Sequence, residues 1–290
     1  MKALRTLILI LALGLATPLC TAQERTARAD YDFCNYLLGQ GLMRDALTLT
    51  SSLSTDYTPA ALDTLSYLQG FVLYHNRKFT PASEAFAKVG QDSHFFPHST
   101  FLGSYCDLEG GHIAKAKQRL DKFALTPAAE SHRELLAFQR AGIALLEGDR
   151  NLYDQLRNEF TYNHFALAPE QHNLDHIAAN PPRTLKPWVA GVASAIVPGL
   201  GQIYAGNVGE GVASFLLVGA FATLTANTWA KAGTPINWRT LTYGSIASLL
   251  YIGNICGSVA SVKVYYQNFE EINRQAVMYS IHIPLRYIFD

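Results

Sequence analysis

His172 and His176 stand four residues apart, with Asp175 between them. On a helix this spacing puts both imidazoles on one face, where a zinc ion could take two nitrogen ligands. No third ligand and no His-Glu-x-x-His sequence accompanies them, so a solvated helix face is the plainer reading. Gly206-Asn207-Val208-Gly209-Glu210-Gly211 has the glycine content to bring backbone amides to a phosphate. It lacks the Lys-Ser/Thr pair of a phosphate loop and the G-x-G-x-x-G spacing. His75, His94, His98, His112, His132 and His164 follow no motif spacing, and no nucleophile elbow or kinase set is present. The expectation is a protein that is not an enzyme, with no catalytic, cofactor-binding or metal-binding residues.

The most specific motif is Pro198-Gly199-Leu200-Gly201-Gln202-Ile203-Tyr204-Ala205-Gly206, or P-G-x-G-Q-x-Y-x-G, followed by Gly209 and Gly211. Its chemistry belongs to backbone and solvation. Proline ends a helix, and glycine permits left-handed backbone and close chain approach. The Gln202 amide can bond backbone groups that such a break frees. Tyr204 has a ring for an apolar layer and a hydroxyl for its wet edge. Pro198, Gly199, Gly201, Gln202, Tyr204 and Gly206 are expected to form a structural knuckle. A substrate or lipid-headgroup site at the same place is the alternative.

The elements that must position this motif are apolar. Between residues 188 and 260 only Glu210, Lys231 and Arg239 are charged. Residues 187–197 would reach about 16 Å as a helix, half of a bilayer core of about 30 Å. Residues 209–230 and 241–263 would reach about 33 and 35 Å, each enough to cross. The short connection between them holds Gly233, Pro235 and Asn237, which predicts an antiparallel hairpin. The pattern resembles a family of bacterial membrane-hairpin proteins related to the two-transmembrane-helix domain, which places such a motif before its first full crossing. The resemblance covers residues 187–266, and it implies architecture rather than activity. Gly253 and Gly257 form a GxxxG, extended by Ser261, for close helix packing, and Asn254 could hydrogen-bond across the contact. The packing partner is the other hairpin helix or a second copy of the chain.

Some members of that family carry tetratricopeptide-like repeats, and the preceding region contains a similar pattern. Gly70, Leu73, Ala82 and Phe86 occupy the small, large, small and aromatic positions of a tetratricopeptide repeat. Small residues let two helices approach, and large ones fill the gap to the next pair. Weaker units run through Leu37, Gly41 and Ala46, through Gly111, Ala116 and Leu120, and through Gly142, Leu145 and Gly148. The turn positions Gly41, Arg77, Gly111 and Gly148 are 36, 34 and 37 residues apart, against a family period of about 34. An ordinary helical bundle with accidental spacing is the alternative. The resemblance implies an extended surface that holds a protein partner.

Lys2 and Arg5 precede an apolar run over residues 7–15, and Cys20-Thr21-Ala22 offers small residues, so residues 1–22 are expected to be a signal peptide. An uncleaved signal anchor and lipidation at Cys20 are the alternatives. Leu19 is large for a residue just before a lipidated cysteine. Cys34 and Cys106 lie two repeats apart, farther than a disulfide reaches, and are expected to be free thiols. Hydrophobic residues make up 49% of the 290 and charged residues 16%. A soluble domain carries about 25% charge, so the deficit agrees with a segment in lipid. Lys+Arg and Asp+Glu both number 23, and this zero net charge gives no basic field for nucleic acid.

The expected fold class is all-α: a tetratricopeptide-like helical solenoid over 23–165, a Pro-containing linker over 166–186, and a membrane domain over 187–266. The tail, 267–290, alternates Tyr279, Ile281, Ile283, Tyr287 and Phe289, which fits either a strand or an interfacial segment. The function expected is a membrane-anchored scaffold in the inner membrane, with a periplasmic repeat domain bound to a protein partner and its hairpin in membrane lipid. Envelope biogenesis is a plausible setting. An oligomeric pore or transporter built from the hairpins is the alternative. No charge is expected mid-membrane, which counts against ion coupling.

Overall fold

The structure is a computed structural model that describes residues 27–52 and 59–289. The signal-peptide expectation lies outside these residues. Among the described residues all regular structure is helical. The chain divides into two compact units, residues 1–136 and 137–290.

The first unit contains three helix pairs: α1 (Ala27–Gly39) with α2 (Met43–Ser51), α3 (Pro59–His75) with α4 (Phe79–Phe86), and α5 (Phe96–Glu109) with α6 (Ile113–Ala124). A one-turn helix, α7 (Ala128–Ser131), follows. The pairs turn at Gly41, Arg77 and Gly111, with φ of 72°, 57° and 77°. At each turn the N–H of the left-handed residue donates to the carbonyl three back, and the next N–H to the carbonyl five back. At Gly111 these bonds are Gly111 N to Leu108 O, 3.0 Å, and His112 N to Asp107 O, 2.8 Å. This pairing satisfies carbonyls that every helix end leaves open. Arg77 adopts the same backbone without being glycine, at a cost of about 1 kcal/mol.

Gly70 and Phe86 meet: a Cβ at Gly70 would stand 2.6 Å from the Phe86 ring. Ala82 is buried with them, while Leu73 is only partly covered and its neighbour Val72 is fully buried. Cys34, Leu37, Ala46, Leu49, Leu65, Leu68 and Val72 form one core across α1, α2 and α3. Cys34 and Cys106 are both buried and free. Burial and the nearby Asp30 push the Cys34 thiol up to about 11, and burial also raises Cys106, so neither is a reactive thiolate.

The division between units falls within α8 (Arg133–Glu147), earlier than the linker at 166. In the second unit the fourth expected turn is present: Gly148 has φ of 74° and the same two bonds, to Leu145 and Ala144. It leads into α9 (Arg150–Arg157), which Asp149 caps through the Leu152 N–H at 3.0 Å. The stretch expected to be linker contains α10 (Ala168–Ala179) before an extended segment to Lys186.

Three further helices lead to the last: α11 (Pro187–Ile196), α12 (Leu200–Tyr204) and α13 (Val208–Ala232). The last helix, α14, runs unbroken from Trp238 to Phe289, about 78 Å at 1.5 Å per residue. The tail is therefore neither strand nor separate segment. Val277, Ile281 and Leu285 recur every fourth residue and are buried. A Cβ at Gly142 of α8 would stand 2.6 Å from Ile281, and α10 packs on the same helix.

Helices α13 and α14 are long and apolar enough to cross a membrane. Only 11% and 22% of their most apolar stretches are buried inside the protein, whereas the core helix of a soluble protein would be mostly covered. They face each other at Gly244, whose Cβ would touch Thr225 at 3.4 Å, and at Thr240, which donates to Thr228 at 3.3 Å.

Candidate functional site: the proline-glycine knuckle

The motif turns the chain twice. Helix α11 ends where Val197 becomes extended and Pro198 follows. Gly199, at φ of 87°, then starts α12. That five-residue helix ends at Gly206, φ of 99°, where Gly206 N bonds Ile203 O and Asn207 N bonds Gln202 O, the same turn as at Gly41, Arg77 and Gly111. The chain comes so close to itself that side chains are excluded. A Cβ at Gly199 would lie 1.9 Å from the Gly211 carbonyl oxygen, and one at Gly201 would lie 2.0 Å from that of Ala190. At Gly211 it would meet Ile203 at 2.5 Å and the Gly199 oxygen at 2.6 Å. Gly209 and Gly206 face open space.

Breaking the helix frees backbone amides, which buried neutral side chains take up. Asn254 Oδ1 accepts from Gly199 N at 2.9 Å, and Ser194 Oγ accepts from Gly201 N at 2.9 Å. Ser194 and Ser258 share a hydroxyl bond of 2.6 Å, and Ser258 donates to Asn254 O at 2.8 Å. Gln202 accepts from Ser214 of α13 at 2.8 Å. Ser194, Ser258, Asn254 and Gln202 are all buried. An unsatisfied amide in an apolar layer costs several kcal/mol; here Asn254 and Ser194 answer the Gly199 and Gly201 amides, while the Gln202 amide, expected to bond the freed backbone, bonds the Ser214 hydroxyl instead.

Tyrosine hydroxyls hold both ends of α11. Tyr204 accepts from Lys186 N at 3.1 Å, Tyr265 from Arg183 N at 3.0 Å, and Tyr266 from Leu185 N at 2.8 Å. Tyr251 donates to Ala195 O at 2.6 Å at the other end. Leu185, Ala190, Ala205 and Val262 pack beneath this clamp. The opposite face of α11 and α12 exposes Trp188, Val192, Ile196, Leu200 and Ile203.

The expected stripe of Gly253, Gly257 and Ser261 is not one contact. Gly253 faces open space, Gly257 lies against the Gln202 amide, and Ser261 bonds the Gly257 carbonyl of its own helix at 2.9 Å. The face of α14 that carries Asn254, Gly257 and Ser258 packs on the knuckle, where Asn254 takes the Gly199 amide and Ser258 bonds the Ser194 hydroxyl. Sequence reasoning missed Ser194, Ser214, Ser258 and the tyrosine clamp. A serine or tyrosine in an apolar run carries no spacing signal of its own.

Two charged clusters lie elsewhere. In the first unit Asp107, its side chain wholly buried, meets Lys115 at 3.0 Å and Arg119 at 3.0 Å and also accepts from Ser83. Arg119 also donates to the Ser83 carbonyl at 3.1 Å, which ties α4 to α5 and α6. In the second unit Asp175 accepts from Tyr153 and Tyr162, each at 2.8 Å, and pairs with Arg157 at 2.6 Å. Burial first, then the bond to Asp175, raises the Tyr153 phenol. A cavity of about 420 Å³ opens beside it, lined by Arg150, Asp154 and His176 among others. Asp175 has its lone pairs filled by donors, so it braces α9 against α10 and is poorly placed to act as a base. His172 stacks on Tyr162 at 4.9 Å, and His176 lines the cavity. Among the described residues no three His, Cys, Asp or Glu side chains gather closely enough to hold a metal ion.

The chain matches no family model, no curated protein and no solved structure.

Proposed function

We propose that this chain is a membrane-anchored, non-enzymatic scaffold whose tetratricopeptide-like repeats bind a protein partner outside the cytoplasm. The observation that carries the membrane part is the surface of α13 and α14: apolar along its length, free of charge between Glu210 and Lys231 and between Arg239 and Lys263, and uncovered by the rest of the protein. Aromatic residues bracket it. Trp229 and Trp238 stand exposed at the turn; at the other end Trp188 is exposed and Tyr204, Tyr265 and Tyr266 are partly buried. Trp238 to Tyr265 is 27 residues, about 40 Å along a helix, which matches a bilayer with its interfaces at about 40–45 Å.

The packing of Val277 and Ile281 near Gly142 supports a topology of two crossings, with the C-terminus on the same side as α8. In that arrangement α11 and α12 enter the same leaflet and leave it again, and with the repeats outside the cytoplasm the turn with Lys231 and Arg239 faces the cytoplasm. The repeats supply the partner surface, by analogy with the tetratricopeptide pattern.

Purification of the full-length chain tests the anchor: it is expected to need detergent, and a monodisperse protein in plain buffer overturns the reading. Protease added from each side of sealed membranes is expected to cut the repeats and the tail from one side only. Photo-crosslinkers placed along α1 to α6 in cells are expected to trap one recurring protein. A surface that traps none removes the scaffold reading while leaving the anchor.

A further inference from the structure

The end of the hairpin nearest the tyrosine clamp carries three cations: Arg183, Lys186 and Lys263. All three are exposed. Among the described residues no ion pair engages their side chains. From residue 181 to residue 269 the only acidic residue is Glu210, which accepts from Asn207 at 3.4 Å. The clamp gathers the cations. Tyr265 and Tyr204 hold Arg183 and Lys186 by their backbone amides, at 3.0 and 3.1 Å, so both side chains stay free. Lys263 lies one helical turn from Tyr266, which bonds Leu185 between them. Directly beyond Lys186 come Trp188 and Val192 on the exposed apolar face of α11. Positive groups, phenol rings and an uncovered apolar surface thus follow one another in the order of a leaflet's phosphate, glycerol and acyl layers.

We propose that Arg183, Lys186 and Lys263 form a headgroup site for anionic phospholipid in the leaflet that holds α11 and α12. This rests on the membrane reading above and deepens it by naming the lipid class. The long side chains reach outward to phosphate while their stems lie on the apolar layer. The clamp fixes their roots, so binding orders only side-chain ends. Each exposed cation near an anionic surface gives about a fivefold gain, so three give on the order of a hundredfold preference over zwitterionic lipid at low salt.

The test uses full-length protein in nanodiscs of phosphatidylcholine with increasing phosphatidylglycerol, reading lipid retained after extraction and the unfolding temperature. Anionic lipid is expected to be retained at least tenfold over its bulk ratio and to raise the unfolding temperature, with both effects weakened by salt. R183Q/K186Q/K263Q is expected to lose both effects and remain folded, because the clamp bonds use backbone amides. K231Q/R239Q, at the opposite end, is expected to keep them. Equal retention of both lipids overturns the proposal, as does an anionic preference that survives the triple variant. The same stabilisation from inorganic phosphate in phosphatidylcholine nanodiscs also overturns it, since the site would then take a soluble anion. A chain that stays in solution without detergent fails at the membrane reading instead, so the two failures are distinguishable.

Discussion

Two regions of this protein bury polar groups, and they do it with opposite chemistry. The first unit, which the proposal reads as the repeat unit, buries an ion: Asp107, with Arg119 nearly covered and Lys115 reaching water with 43% of its side chain exposed. The knuckle buries neutral groups: Ser194, Asn254 and Ser258 bond backbone or one another, and Gln202 bonds the Ser214 hydroxyl. A carboxylate can be held in the repeat unit because its partners extend to solvent and share the cost of desolvation. On the membrane reading proposed above, an ion at the knuckle would have no such outlet in lipid. The same left-handed turn serves both regions, and Cβ positions at Gly41, Gly111, Gly148 and Gly206 all meet nothing within 4 Å. What the knuckle adds is close chain approach, since Cβ positions at Gly199 and Gly201 would meet carbonyl oxygens at 1.9 and 2.0 Å.

The largest effect is expected at Gly201. Neither Gly201 nor Ala190 can yield, because the colliding atom is backbone held by α11. Gly201→Ala is expected to cost more than about 4 kcal/mol, the range of severe core damage, read as loss of the folded species during thermal unfolding in detergent. A variant that folds with unchanged stability would break the account of the motif as a close-approach device. In the repeat unit, Asp107→Ala leaves Arg119 with no carboxylate and is expected to cost about 3–5 kcal/mol. The double change Asp107→Leu with Arg119→Met removes both charges and is expected to recover most of that loss. If the double variant were as unstable as the single one, the ion pair would not be the reason.

Much of the pattern of helix pairs and turns was legible because its constraints are local and steric. A left-handed turn favours glycine, so Gly41, Gly111 and Gly148 announce themselves, and Arg77 follows from register. Gly70 opposite Phe86 was readable for the same reason, since one residue must be small where the other is large. The knuckle's position was legible from Pro198 and its glycines. Its partners were not, apart from Asn254: Ser258 bonds Ser194 across 64 residues, Tyr265 and Tyr266 reach Arg183 and Leu185 across 82 and 81, and even Ser194, seven residues from Gly201, carries no spacing signal of its own. The tail misled through coincidence. Tyr279, Ile281, Ile283, Tyr287 and Phe289 alternate like a strand, but the buried set is Val277, Ile281 and Leu285 at helical spacing. No glycine or proline interrupts α14 between Lys263 and Ile283, so the helix continues.

Asn254 separates the neutral network from its scaffold. Asn254→Leu keeps the side-chain volume and leaves the Gly199 amide without its acceptor. The expected loss is about 1–3 kcal/mol, the desolvation cost of one unpaired group. Asn254→Asp is expected to be worse despite offering an acceptor, because it puts a charge where α14 packs on the knuckle. An aspartate that equals asparagine at neutral pH would mean that water reaches this site, and the contrast with Asp107 would weaken.

The smallest expected effect concerns pH and falls on the repeat unit alone. His98 sits among Tyr67, Phe95 and His94, and burial first, then His94 and His132, lower it from 6.5 to about 4. Between those two values the unfolded chain binds a proton that the folded one refuses. Stability from this residue is therefore fully present above about pH 6.5, falls as pH drops toward 4, and changes no further below that. Because the ring is only partly covered, the loss should be on the order of 1–2 kcal/mol once solvent screening is allowed for. His98→Phe keeps the aromatic packing and removes the titration. It is expected to flatten the unfolding temperature of the full-length protein between pH 6.5 and 4 relative to wild type. The knuckle's serines, Asn254 and Gln202 do not titrate in this range, so N254L should keep the wild-type pH slope. If N254L and His98→Phe altered the slope alike, the division between an ionisable repeat unit and a neutral knuckle would not hold.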